Sequence, residues 1–99
     1  MEIHVEELEV LHNRAERRFE IWLDGTLCEL DYHLQANTMI IHHTGVPAPL
    51  EGRGIAGRLT RTALEYAAEN ALRVIPLCSY VAVYIRRHPQ YKRLVNQNG

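Results

Sequence analysis

The sequence predicts a mixed α/β (α+β) domain, an antiparallel β meander followed by a β-loop-α-β-α unit. Three observations carry this. Apolar and polar positions alternate through the first half, interrupted by short turn signals. Two prolines and a glycine-rich loop then end the alternation. Beyond the loop, apolar residues recur every three or four positions, the spacing of an amphipathic helix.

Residues 1–12 carry Ile3 and Val5, then Leu8, Val10 and Leu11, among acidic positions. They are expected to form a short strand or a mobile arm, with Asn13 breaking the pattern. Arg17 to Leu23 reads as a strand with Phe19, Ile21 and Leu23 on one face and Trp22 on the other. Asp24-Gly25 is a hairpin signal, because both residues tolerate the positive φ of a tight two-residue turn. Thr26 to Leu34 alternates again through Cys28, Leu30, Tyr32 and Leu34. After a second turn at Gln35-Ala36-Asn37, Thr38 to Val46 forms a third strand. Pro47 and Pro49 cannot donate to a ladder and stop it.

Ile55, Leu59, Ala63, Tyr66 and Ala67 then mark a helix from Ile55 to Asn70, with Asn70 as its C-cap. Arg58, Arg61, Glu65 and Glu69 fall mostly on its outer side. Arg73 to Cys78 is a short buried strand, so strand, helix and strand should make a right-handed parallel crossover. Ser79 is positioned to cap a last helix running to Arg87, which His88-Pro89 ends.

Composition narrows the classes. A chain of 99 residues makes one domain, 1–99. With 46% hydrophobic residues, 23% charged residues and a net charge of −1, nothing suggests a nucleic-acid partner. Arg86, Arg87, Lys92 and Arg93 come nearest to a basic patch, and stacking aromatics are not interleaved through them. No apolar run approaches the roughly 20 residues of a membrane span, and the acidic N-terminus lacks a signal core. A cytoplasmic protein with no membrane partner is the expectation. Cys28 and Cys78 are far apart and should be thiols there. No structural metal is expected. His42 and His43 are the only adjacent histidines, and neighbours on a strand should face opposite ways. Small size and the lack of an apolar surface stripe favour a monomer.

The most informative stretch is Leu50 to Arg58. Gly52, Gly54 and Gly57 stand at i, i+2 and i+5 just before a helix. Such a loop lets bare amides curl around an anion, and the helix N-terminus adds its unpaired amides and positive dipole end. The spacing matches the dinucleotide fingerprint, but Pro47-Ala48-Pro49 stretches the strand-to-helix turn. No carboxylate for a ribose follows in Val74 to Cys78. A P-loop fails as well, because Arg58 and Leu59 replace its lysine and Ser/Thr.

A meander, then Glu51-Gly52-Arg53-Gly54-Ile55-Ala56, then a helix and a strand together resemble the GNAT superfamily of acetyl-coenzyme A-dependent N-acetyltransferases. The acidic Glu51 departs from the Gln or Arg that opens the superfamily's loop, and is expected to point away from a diphosphate. His43-Thr44-x-Val46-Pro47, Gly52-Arg53-Gly54-Ile55-Ala56, Pro76-x-Cys78-x-Tyr80 and His88-Pro89 resemble its short, single-domain members over roughly Phe19 to Val95. That group lacks the first strand–helix region of longer members.

The resemblance implies N-acetyl transfer to a small or peptidic amine, or else an acyl-coenzyme A-binding module with little turnover. It implies that the amides from Gly52 through Arg53, Gly54, Ile55 and Ala56 to Gly57 bind the cofactor's diphosphate. Arg53 and Arg58 could reach its phosphates. Pantetheine would pair as an extra strand with the backbone from Thr44 to Val46, where the prolines force the next strand to splay away. Cys78 is the candidate nucleophile, or the acid that protonates the departing thiolate. His43 is the candidate general base. Tyr80 and Tyr84, one turn apart, are read as packing residues that could meet the cofactor.

Overall fold

The computed structural model describes residues 2–95. A five-stranded sheet runs in sequence order, β1 (Leu11–Asn13), β2 (Arg18–Leu23), β3 (Thr26–Gln35), β4 (Thr38–Gly45) and β5 (Arg73–Pro76). The first four strands are antiparallel neighbours, and β5 lies parallel to β4. Helix α1 (Ile55–Glu69) makes the crossover, followed by α2 (Ser79–Arg87) and a short α3 (Lys92–Val95).

The expected meander and crossover are therefore present, with two adjustments. The N-terminal region gives the expected short strand only at its end, preceded by a packed arm instead of a mobile one. Residues Val5–Glu7 form a 3-10 turn in a packed arm, while Leu11–Asn13 pairs with β2 as an edge strand. Asn13 does not break the strand. It ends it, accepting the Glu16 amide through Oδ1 and donating to Glu20 through Nδ2. At the Asp24-Gly25 turn both residues take positive φ, 49° and 77°, as the hairpin requires.

The core forms on one face of the sheet. Phe19, Ile21, Cys28, Leu30, Tyr32, Met39, Ile41 and Val74 meet Ile55, Leu59, Ala63, Leu64 and Ala67 of α1 and Val81 and Ile85 of α2. At its β1 end the core becomes aromatic. His12 stacks on Phe19 at 4.1 Å, and its Nε2 is hydrogen-bonded to the Tyr32 hydroxyl. Burial, with a smaller contribution from Arg14, holds the His12 pKa below its ordinary 6.5.

The reverse face stays open. Trp22 is 49% exposed and Leu77 68%. Trp22 belongs to a polar network on β1 and β2 that alternation does not predict, because Glu20 is 5% exposed. Its carboxylate accepts from Arg18 at 2.5 Å, from Trp22 at 3.0 Å and from Asn13 at 3.0 Å. Burial raises its pKa, but these hydrogen bonds outweigh burial and leave it below the ordinary carboxylate value.

Candidate cofactor site

The site is built where β4 outruns β5. Pairing between them covers Thr38–Ile41 against Arg73–Pro76, whereas β4 continues to Gly45. The amides of Leu77 and Cys78 both donate to the Ile41 carbonyl, so the chain turns away there. The split thus opens at Ile41, not at the prolines. Its cause is the early end of β5 at Pro76, two residues short of the expected Cys78. Pro47 instead caps, and Pro49 lies within, a 3-10 turn, Ala48–Leu50, that leads into the glycine loop.

A β-bulge decides which side chains face the split. Asp31 pairs with His43 but Tyr32 pairs with Ile41, leaving His42 as an extra residue in β4. Simple alternation from the buried Ile41 would send His43 inward and Thr44 outward. The extra residue reverses that. Thr44 pairs with the buried Leu30, and its Oγ1 lies 3.4 Å from Cys78 Sγ. Both histidines end on the reverse face, which corrects the expectation that they point oppositely. His42 packs edge-on against His33 at 4.5 Å. His43 sits beside Glu29 and Asp31, where a ring nitrogen and two carboxylate oxygens lie within 4.8 Å of one another. Burial, then the neighbouring Asp31, raises the Glu29 pKa. The His43 ring also leans over Gly45, its Nε2 only 2.9 Å from where a Cβ there would stand.

Around the split lies a cavity of about 370 Å³ lined by Thr44, Val46, Leu50, Glu51, Gly52, Gly54, Ile55, Ala56 and Tyr80. Gly52 and Gly54 both take left-handed backbone, with φ of 78° and 84°, which a side chain resists. Gly54 is the N-cap of α1, and Arg58 N donates to its carbonyl. Helix geometry leaves the amides of Ile55, Ala56 and Gly57 without intrahelical acceptors. The glycine loop thus turns through left-handed backbone straight into a helix start.

Other residues are placed less simply. Arg53 is exposed on the loop. Gly57 lies inside the first turn of α1. A Cβ there would stand 3.4 Å from the Tyr80 hydroxyl and 3.8 Å from the Tyr84 ring, so Gly57 faces α2. Arg58 turns from the cavity to the N-terminal arm, donating to Leu8 O at 3.2 Å and to Thr62 at 3.3 Å. Glu51, expected to point away, belongs to the cavity wall. Cys78 is the N-cap of α2, displacing Ser79 by one position. Its backbone is extended and its carbonyl accepts the Ala82 amide. Negative charge on its sulfur would therefore stand at a helix N-terminus.

Leu50 was not singled out as a wall residue by the sequence, whereas Tyr80, read as a packing residue that could meet the cofactor, does line the cavity. Tyr80 carried a signal, its place two residues after Cys78 on the first turn of a helix. Tyr84 instead stacks on His88 at 3.9 Å, with Tyr91 beyond it at 6.2 Å.

These features coincide with what comparison finds. The sequence model for GCN5-related N-acetyl-transferase matches residues 18–94. The chain belongs to that family. It is 31% identical over 87 residues to Protein NATD1 of Xenopus tropicalis, covering 83% of this chain and 78% of that protein. With Protein NATD1 of Homo sapiens it shares 32% identity over 85 residues, covering 83% and 75% respectively. The solution structure of a GCN5-like protein from Staphylococcus aureus superposes with a TM-score of 0.73 at 30% identity, covering 90% of this chain and 88% of that one. Membership agrees with the mixed α/β fold and the mostly antiparallel sheet. No helix among the described residues is long and apolar enough to cross a membrane.

Proposed function

We propose that the chain binds acetyl-coenzyme A in this cavity and transfers the acetyl group to an amine. One observation carries the reading: Thr44, Val46 and the loop from Gly52 to Ala56 wall a single cavity, and Cys78 touches Thr44 at the split. The donor set suits such a ligand. Bare amides at the start of α1 meet a diphosphate, and Val46, Leu50 and Ile55 offer an apolar wall to the acyl arm. β4 residues beyond Ile41, no longer paired with β5, give an extended pantetheine a strand to run beside.

Acetyl-coenzyme A supplies an acetyl group activated as a thioester. The chain's own groups then hold the carbonyl and move one proton. The amine nitrogen bonds the carbonyl carbon as the carbon–sulfur bond breaks. His43, on the reverse face one residue before Thr44, is assigned the amine's proton, and Cys78 gives one to the departing sulfur. Cys78 regains a proton from solvent, so the net transfer is one proton from amine to thiol. With the Thr44 hydroxyl, not a base, as its hydrogen-bond partner among the described residues, Cys78 serves better as proton donor than as nucleophile.

A screen of amines with acetyl-coenzyme A, followed by release of free thiol, tests this. Cys78→Ala and His43→Ala should each lower turnover by about 100-fold, the scale of one general acid or base. Full turnover in both variants would remove these roles, and an acetyl group on Cys78 by intact mass would replace direct transfer with a two-step path. One observation favours an acyl-coenzyme A-binding role without turnover. The reverse face, from which the amine would approach, is open at Trp22 and Leu77 and gives it little wall. Cofactor binding with no thiol released for any amine would select that reading.

A further inference from the structure

The N-terminal arm lies across the start of α1, directly beside the proposed cradle. Three separate contacts hold it. The Val5 methyls stand 3.6 and 3.8 Å from where a Gly54 Cβ would be. Arg58 donates to the Leu8 carbonyl at 3.2 Å, while its buried Nε finds no acceptor among the described residues. Arg61 pairs with Glu6 at 2.6 Å. Gly54, Arg58 and Arg61 are spaced to share one side of α1's first two turns. The arm that covers them is acidic, carrying Glu2, Glu6, Glu7 and Glu9.

The Glu6 carboxylate on Arg61 and the Leu8 carbonyl on Arg58 engage two arginines of the first turns of α1 that an anionic ligand at the loop would otherwise draw on. We infer that the segment from Ile3 to Val10 is a strap that competes with the cofactor, with Glu6 standing on Arg61 in place of a ligand phosphate. This rests on the reading of the loop as a diphosphate cradle. The hold suits displacement. Side chains of Arg61 and Glu6 are 39% and 68% exposed, and exposed ion pairs are weak and screened by salt. An anion bearing several charges should therefore outcompete the single carboxylate. Releasing the strap frees Arg61 and gives the Arg58 guanidinium a second choice of acceptor.

The experiment measures coenzyme A affinity of the full chain and of Glu6→Gln by calorimetry, at low and at physiological salt. Glu6→Gln should bind about twofold to fivefold more tightly at low salt, the range of an exposed ion pair, and the gain should shrink as salt rises. In amide NMR of the unaltered chain, saturating coenzyme A should move the Val5, Glu6 and Leu8 resonances toward those of an unstructured segment. Binding to both chains with equal affinity and unmoved arm resonances overturns the strap and leaves the cradle standing. No binding to either chain overturns the cradle reading and the strap with it. Binding only to Glu6→Gln supports both.

Discussion

The two faces of the sheet are organised by different forces. On the helical face, apolar side chains from four strands and three helices exclude water, and the candidate cofactor cavity opens at the rim of that packed layer. On the reverse face, charge and hydrogen bonding do the organising, around a buried Glu20 and the group of Glu29, Asp31 and His43. Burial fixes shape on the first face. On the second, hydrogen bonds outweigh burial and keep Glu20 ionised. The bulge at His42 is where the two meet, because it assigns Thr44 to the cavity and His43 to the charged face.

Mutations separate the faces by size of effect. Leu59→Ala removes a fully buried side chain from the centre of α1 and should cost about 2–5 kcal/mol in urea unfolding. Leu77→Ala on the reverse face should stay within about 0.5 kcal/mol. Equal costs would show that the reverse face is not open. Next comes Glu20→Ala, which strands three donors and should cost about 1–3 kcal/mol.

The pH dependence of stability sharpens the same contrast. The folded Glu20 pKa is depressed, so its contribution is present above the ordinary 4.5 and is lost as pH falls through the folded value. For His12 the folded pKa is also lowered, so the unfolded chain binds the extra proton and stability is lost as pH drops below 6.5. Urea titrations from pH 8 to 5.5 should therefore show a decline that His12→Gln flattens and Glu20→Gln leaves in place. A decline untouched by His12→Gln would assign it to another group.

At the cavity the effects are smaller on stability and larger on binding. Gly54→Ala forces a Cβ onto left-handed backbone and should cost about 1–2 kcal/mol of stability. It should also weaken coenzyme A binding about tenfold by displacing the loop amides. Smallest is Glu51→Gln, which removes the one carboxylate on the cavity wall and should tighten binding about twofold to threefold. Weaker binding in that variant would give Glu51 a supporting role instead of a repulsive one.

Much of the fold was legible because its signals are local. Asp24-Gly25, the spacing from Ile55 to Ala67 and His88-Pro89 each act through a few neighbouring residues, and each lies where the pattern put it. The glycine loop was legible for the same reason. Failures came where distant residues decide. A bulge depends on the partner strand, so nothing in His42-His43-Thr44 shows that alternation skips a residue there. Arg58 was read toward the phosphates because its spacing follows the loop, but its acceptor, Leu8, is 50 residues away in sequence. Glu20 drew no reading from the sequence, because its burial depends on Arg18, Trp22 and Asn13 closing over it.

The central claim is that the split between β4 and β5 and the loop before α1 form one ligand site. Titrating the chain with acetyl-coenzyme A while following backbone amides tests it directly. The account predicts saturable shifts at Thr44, Gly45 and Val46 together with Gly52 to Gly57, with Trp22 and Glu29 on the reverse face little changed. Shifts centred on the reverse face, or no saturable shift at the glycine loop, would contradict it.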